Sequence, residues 1–71
     1  MDIRRQTALI IRKDGKYLVG RDAWGALIWN SSPWAAWKTR IRAEALGVAE
    51  KTGGVIMLWN PVAGQMREAR I

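Results

Sequence analysis

The chain contains no cysteine and no histidine among its 71 residues. The first absence excludes disulfides, thiol nucleophiles and thiolate metal ligands. The second removes imidazole ligands and the usual general base near pH 7. The side chains that most catalytic and metal sites depend on are therefore missing, and we expect a protein that is not an enzyme, with no metal and no cofactor.

Long hydrophobic runs are also missing from the sequence. No apolar segment approaches the roughly 20 residues that span a bilayer. Residues 1–6 lead into a strand-like segment and do not resemble the core of a signal peptide. We therefore expect a soluble, cytoplasmic protein that has no membrane partner.

The chain is short for a folded protein. A domain of 71 residues hides only about 60% of the surface that its unfolded form exposes, and one core of this size leaves roughly 3–5 kcal/mol of stability. We interpret residues 1–71 as a single domain. Because its core is small, we also expect it to self-associate as a homo-oligomer.

Positive charge and tryptophan are abundant, and they lie together. Twelve Lys and Arg against six Asp and Glu give a net charge of +6. Residues 1–42 hold nine of the basic and three of the acidic residues, so they carry the whole surplus, and they hold four of the five Trp. Cations attract phosphate and indole rings stack on bases. Tryptophan also fills the cores of small domains, so some of these rings are expected to be structural.

The clearest local structure is a β-hairpin. Two apolar runs flank the pair Asp14-Gly15. Asp-Gly is favoured at the two central positions of a type I′ turn because both positions take a positive φ. The sequence therefore predicts a two-residue hairpin turn, with Leu9 opposite Gly20 further along the strands.

Strict alternation sorts the side chains of this hairpin onto two faces. One is an ordinary core face. The other has an apolar centre bordered by a tyrosine and two arginines, Tyr17, Arg12 and Arg21. Such a mixed face should meet a ligand, a partner subunit or another part of the same chain, with residues 24–37 as the candidate cover.

The rest of the chain predicts further strands and one helix. Residues 26–30 read as a third strand, and residues 55–59 are a continuously apolar strand that should be covered on both faces. Residues 66–71 either return as a further strand or fray. The predicted fold class is α+β, a small antiparallel sheet of order β-β-β-α-β with one helix packed on it.

Two helix starts fit the pattern. Ser32 could cap a long helix with Pro33 at its first position. Alternatively, Pro33 begins one isolated turn, and Thr39 caps a helix over residues 40–52. We favour the second start, and Gly53 is suited to the left-handed position that ends a helix.

Helical spacing predicts which side of this helix is buried. Ile41, Ala45 and Val48 follow each other at intervals of four and three, which aligns them in one stripe. The same spacing places Lys38 and Arg42 on a flank beside that stripe. The helix therefore offers a second basic surface in addition to the hairpin.

These elements provide candidate ligand-binding residues that combine cations with rings. The cations would contact phosphate, and the tyrosine and tryptophans would stack on bases. The set comprises Arg12, Tyr17, Arg21, Trp24, Trp29, Trp34, Lys38, Arg40 and Arg42. It favours a protein that binds an anionic nucleotide ligand, either a small nucleotide or single-stranded nucleic acid. The alternatives are a protein-interaction module with a basic, aromatic face, and a homo-oligomer in which the same groups form the interface.

The hairpin resembles the opening strands of Nudix hydrolases, in which a Glu-rich helix then holds a divalent metal. Here only Glu44 and Glu50 are available on the helix. Six residues apart, they point about 120° away from each other, too far around the helix to share one ion. We therefore expect no Nudix activity.

As a whole, the chain resembles a class of short phage and prophage proteins. The segments that carry the likeness are residues 16–18, 27–29, 36–40, 43–49, 53–55 and 60–61. The resemblance implies a β-β-β-α-β fold and an accessory role in the host cytoplasm, such as antagonism of host defence by blocking a nuclease or sequestering a nucleotide signal. A host defence protein is then a further candidate partner. The resemblance transfers no functional residue.

Overall fold

A computed structural model of the chain describes residues 7–69. The predictions for residues 1–6 and for residues 70 and 71 lie outside this part. The described residues form a five-stranded antiparallel sheet and one helix, so the α+β class is confirmed. The strands are β1 (Ala8–Lys13), β2 (Lys16–Arg21), β3 (Leu27–Asn30), β4 (Val55–Asn60) and β5 (Gln65–Glu68), and the helix α1 is Arg42–Thr52. The strand order is β3-β2-β1-β4-β5.

The predicted hairpin is formed by β1 and β2. Its turn residues Asp14 and Gly15 have φ angles of 52° and 76°, the positive values that a type I′ turn requires. Next to the turn, Arg12 lies opposite Tyr17. The two-residue turn and the register beside it are therefore confirmed.

Further from the turn, another segment bridges the two strands of the hairpin. Leu9 exchanges both of its backbone hydrogen bonds with Thr39, at N···O distances of 2.8 and 3.1 Å. Two residues before Thr39, the N–H of Trp37 donates to the carbonyl oxygen of Leu18 at 2.8 Å. The prediction that Leu9 pairs with Gly20 is therefore wrong. The backbone partners of Leu9 and Leu18 come from a distant segment, residues 37–39. Nothing in the sequence of the hairpin indicates that this segment takes up their hydrogen bonds.

A β-bulge in β2 changes the face on which Arg21 lies. Leu18 and Gly20 are opposite consecutive residues of β3, so Val19 between them has no partner. One extra residue reverses the alternation of the side chains that follow it. Arg21 therefore lies on the helix side of the sheet, and the prediction that it shares a face with Arg12 is wrong.

The helix begins later than either predicted start. Pro33–Ala35 form a separate 3-10 turn. This confirms the isolated turn that the favoured of the two alternatives predicts. Thr39 does not cap a helix at residue 40, because its backbone is extended and paired with β1. Ile41 is also extended, with φ −91° and ψ 110°, and its N–H donates to the Thr39 hydroxyl at 3.1 Å. The helical backbone therefore starts at Arg42.

Small side chains pack α1 onto the sheet. Ala45 is fully buried and Val48 is half-buried, as predicted, whereas Ile41 precedes the helix and is 60% exposed. Gly53 ends the helix in the left-handed conformation, with φ 73°, which confirms the predicted helix stop. Within residues 7–69, no helix is long and apolar enough to cross a membrane.

Each face of the sheet has its own hydrophobic core. The core on the helix side comprises Ile11, Leu18, Ala45 and Ile56. The core on the other side comprises Ile10, Ala36, Met57 and Trp59. β4 contributes to both, which confirms that it is a strand covered on both faces. Ala36 packs on the apolar centre of the mixed hairpin face, so another part of the same chain covers that centre.

The chain returns after β4 as a fifth strand. The side-chain oxygen Oδ1 of Asn60 accepts the N–H groups of Val62 and Ala63 at 3.1 and 3.2 Å, and Gly64 takes a positive φ of 65°. These contacts form a tight turn. Gln65–Glu68 then pair with β4 as β5, so of the two alternatives for residues 66–71 the strand is found over residues 66–68.

Candidate ligand-binding site

The structure distributes the predicted ligand-binding residues over several surfaces. Arg12 lines a depression beside the hairpin turn, together with Gly53 and Glu68. Tyr17 lies on the same side of the sheet as Arg12, where it packs against the core away from the helix. Arg21 lies on the other side. The hairpin therefore does not gather these three side chains into one site.

The predicted tryptophans are likewise separated. Trp24, in the loop between β2 and β3, is 90% exposed, and Trp34, on the 3-10 turn, is 60% exposed. Trp34 meets the buried Trp59 edge to face, with ring centroids 5.0 Å apart and planes at 84°. The Nε1 of Trp59 has no hydrogen-bond partner among the described residues. Trp29 packs against the core on the helix side.

Three cations lie near the 3-10 turn and the helix start, Lys38, Arg40 and Arg42. The Nζ of Lys38 donates to the carbonyl oxygens of Trp34 and Ala36, at 3.2 and 3.0 Å, and so braces the 3-10 turn. Arg40 lines a depression beside the start of β1. Arg42 is the exposed first residue of α1. Because Lys38 precedes the helix, the predicted flank of Lys38 and Arg42 is wrong.

A pocket of about 320 Å³ lies between the last turns of α1 and the strands β2 and β3. Its volume is at the low end of the range for small-molecule sites. Its lining is mainly apolar, and it includes two exposed cations, Arg21 and Lys51. We call it the helix–hairpin pocket, and it is lined by Leu18, Gly20, Arg21, Leu27, Trp37, Val48, Lys51 and Thr52. Arg21 is the member of the predicted set that lines it.

Three features of the fold bring the important side chains to this pocket. The bulge at Val19 turns Arg21 to the helix side of the sheet. The backbone hydrogen bond to Leu18 holds Trp37 against β2. The last turn of α1 carries Lys51. Residues that carry an indole, a guanidinium and an ammonium group thereby line one cavity.

The helix–hairpin pocket is positively charged. Within residues 7–69, neither Arg21 nor Lys51 forms a salt bridge, and the Nη1 of Arg21 donates to the carbonyl oxygen of Gly25 at 3.3 Å. A helix C-terminus carries partial negative charge, which would repel an anion. Here the Nζ of Lys13 donates to the carbonyl oxygen of Thr52 at 3.0 Å and offsets that charge. The pocket is therefore suited to an anion.

Sequence reasoning missed Trp37 and Lys51 as site residues. A signal for Lys51 was available, because it follows the half-buried Val48 by three positions and so lies beside it on the helix. No comparable signal marked Trp37. Its position depends on a backbone hydrogen bond to a strand nineteen residues earlier in the chain, and no local pattern reveals that bond.

The candidate site is thus defined by one indole, two cations and an apolar floor. No family model, no curated protein and no solved structure significantly matches the chain.

Proposed function

We propose that the protein binds a small anionic ligand of the nucleotide type in the helix–hairpin pocket. The observation that carries the proposal is the convergence of Trp37, Arg21 and Lys51 on one cavity with an apolar floor. An indole face stacks on a base, and guanidinium and ammonium groups bind phosphate oxygens. Adjacent groups of the pocket thus match both parts of a nucleotide.

The size of the pocket favours a small nucleotide over a long single strand. Sites for single strands combine an extended basic groove with several rings on which successive bases stack. The helix–hairpin pocket has a volume of about 320 Å³ and one lining indole, Trp37. It therefore accommodates one base.

The chemistry of the lining side chains favours binding of the ligand without a chemical reaction. The hydroxyl of Thr52 already donates to the carbonyl oxygen of Val48 at 2.9 Å. The other polar side chains of the pocket, Arg21 and Lys51, attract phosphate. We therefore expect a bound nucleotide to be recovered unchanged. Sequestration of this kind agrees with the accessory, anti-defence role that the resemblance to phage proteins implies.

Tryptophan fluorescence during titration with adenosine 5′-monophosphate tests the proposal, with adenosine as the ligand without phosphate. We expect the nucleotide to quench the fluorescence and to bind more weakly at high salt, because the contacts are ionic. Trp37→Phe should reduce the quenching. Chromatography of the released ligand should recover the nucleotide intact.

A charge-matched set of variants locates the site. Arg21→Gln and Lys51→Gln should each weaken binding about tenfold, since each removes a hydrogen-bonded charge. Arg42→Gln removes the same charge at the other end of α1 and should leave the affinity unchanged within about twofold. Absence of binding, or equal weakening by all three variants, would contradict the proposed site.

A further inference from the structure

The loop between β2 and β3 presents a tryptophan to solvent on a fixed backbone. Trp24 is 90% exposed. The Oδ1 of Asp22 accepts the N–H groups of Trp24 and Ala26 at 2.8 and 3.0 Å, and the N–H of Asp22 donates to the carbonyl oxygen of Ala26 at 2.9 Å. An exposed ring on an ordered loop loses little conformational freedom when it binds. This loop is therefore well suited to recognition.

Arg21 connects this loop to the helix–hairpin pocket. Its side chain lines the pocket, and its Nη1 donates to the carbonyl oxygen of Gly25 in the loop. Trp24 directly precedes Gly25 in the chain. Arg21 therefore contacts both the pocket that contains Trp37 and the loop that carries Trp24.

We infer that the ligand contains two bases joined by phosphate. One base lies in the pocket against Trp37, the linking phosphate binds Arg21, and the second base stacks on Trp24. The inference depends on the proposed function of the pocket and adds a second base to it. Base stacking on an aromatic side chain is tolerant of base identity and should increase affinity roughly 5- to 150-fold.

The test compares adenosine 5′-monophosphate with the dinucleotide pApA. Calorimetric titration should show pApA binding at least about fivefold more tightly to the unmodified protein. Trp24→Ala should remove this gain and leave the affinity for the mononucleotide unchanged, and Trp24→Tyr, which keeps a ring, should retain part of it. Trp34→Ala is the matched control, since it removes another exposed tryptophan on a different surface, and it should change neither affinity.

The possible failures are distinguishable. If the mononucleotide binds and pApA gains nothing, the two-base ligand is wrong while the pocket assignment stands. The two-base ligand is also wrong if the Trp24→Ala variant still binds pApA more tightly than the mononucleotide. Trp24 would then be available to bind a protein partner. If neither ligand binds, the proposed function fails together with this inference.

Discussion

Gly54 lies where the chain leaves α1 and enters β4, and we predict that Gly54→Ala destabilises the protein. A Cβ at this position would fall on the Cγ2 of Ile11, a fully buried side chain. It would also lie 3.2 Å from the carbonyl oxygen of Arg12 and 3.3 Å from the hydroxyl of Thr52. Forcing an extra carbon into a packed core typically costs about 1–3 kcal/mol.

This loss is large relative to the stability of the domain. A core of this size supplies roughly 3–5 kcal/mol, so a loss of about 2 kcal/mol would raise the unfolded fraction about 30-fold. With a urea dependence of about 1 kcal/mol per molar, the midpoint of unfolding would fall by about 2 M. A decrease of that size is easily measured.

Urea denaturation followed by far-ultraviolet circular dichroism checks the prediction, with Gly47→Ala as the matched control. Gly47 lies within α1, and among residues 7–69 nothing beyond its chain neighbours and the backbone of the helix itself comes within 4 Å of an added Cβ. Alanine there should stabilise the helix by roughly 0.5–1 kcal/mol. The reasoning is refuted if Gly54→Ala unfolds at or above the midpoint of the unmodified protein. It is also refuted if both variants lose the same stability.

Two further predictions concern the exposed tryptophans and the assembly state. Trp34→Ala should lower the free energy of unfolding by about 1 kcal/mol, because it removes the edge-to-face contact that covers Trp59. Trp24→Ala should change it by less than about 0.5 kcal/mol, because that ring is exposed; equal losses in denaturant unfolding would contradict this difference. The small core also predicts a homo-oligomer, which light scattering over a range of concentrations checks. A mass that stays at 8.0 kDa would contradict self-association.

Elements shaped by a few neighbouring residues were predictable from the sequence. Asp14-Gly15 form the turn because both residues tolerate positive φ, and Gly53 ends the helix for the same reason. The continuous apolar run of β4 predicts a strand covered on both faces, and the structure confirms it. In each case the preference acts within one turn or one strand, so neighbouring residues alone determine these elements.

The candidate site was predictable only in part. The sequence indicates Arg21 as a site residue but predicts the wrong face for it, because a bulge at Val19 reverses the alternation that the prediction assumes. The sequence does not indicate Trp37 and Lys51 as site residues. They reach the pocket through a backbone bond to β2 and through the packing of α1 on the sheet.

The sequence by itself determined the α+β class, the hairpin turn, the helix stop and the concentration of positive charge and tryptophan in residues 1–42. Only the tertiary structure decided that Thr39 pairs with Leu9 and that Arg21, Trp37 and Lys51 surround one pocket. Turn and cap preferences arise from the φ and ψ angles of single residues. Register and strand partners arise from competition for backbone hydrogen bonds between distant segments, and that competition is resolved only when the whole sheet assembles.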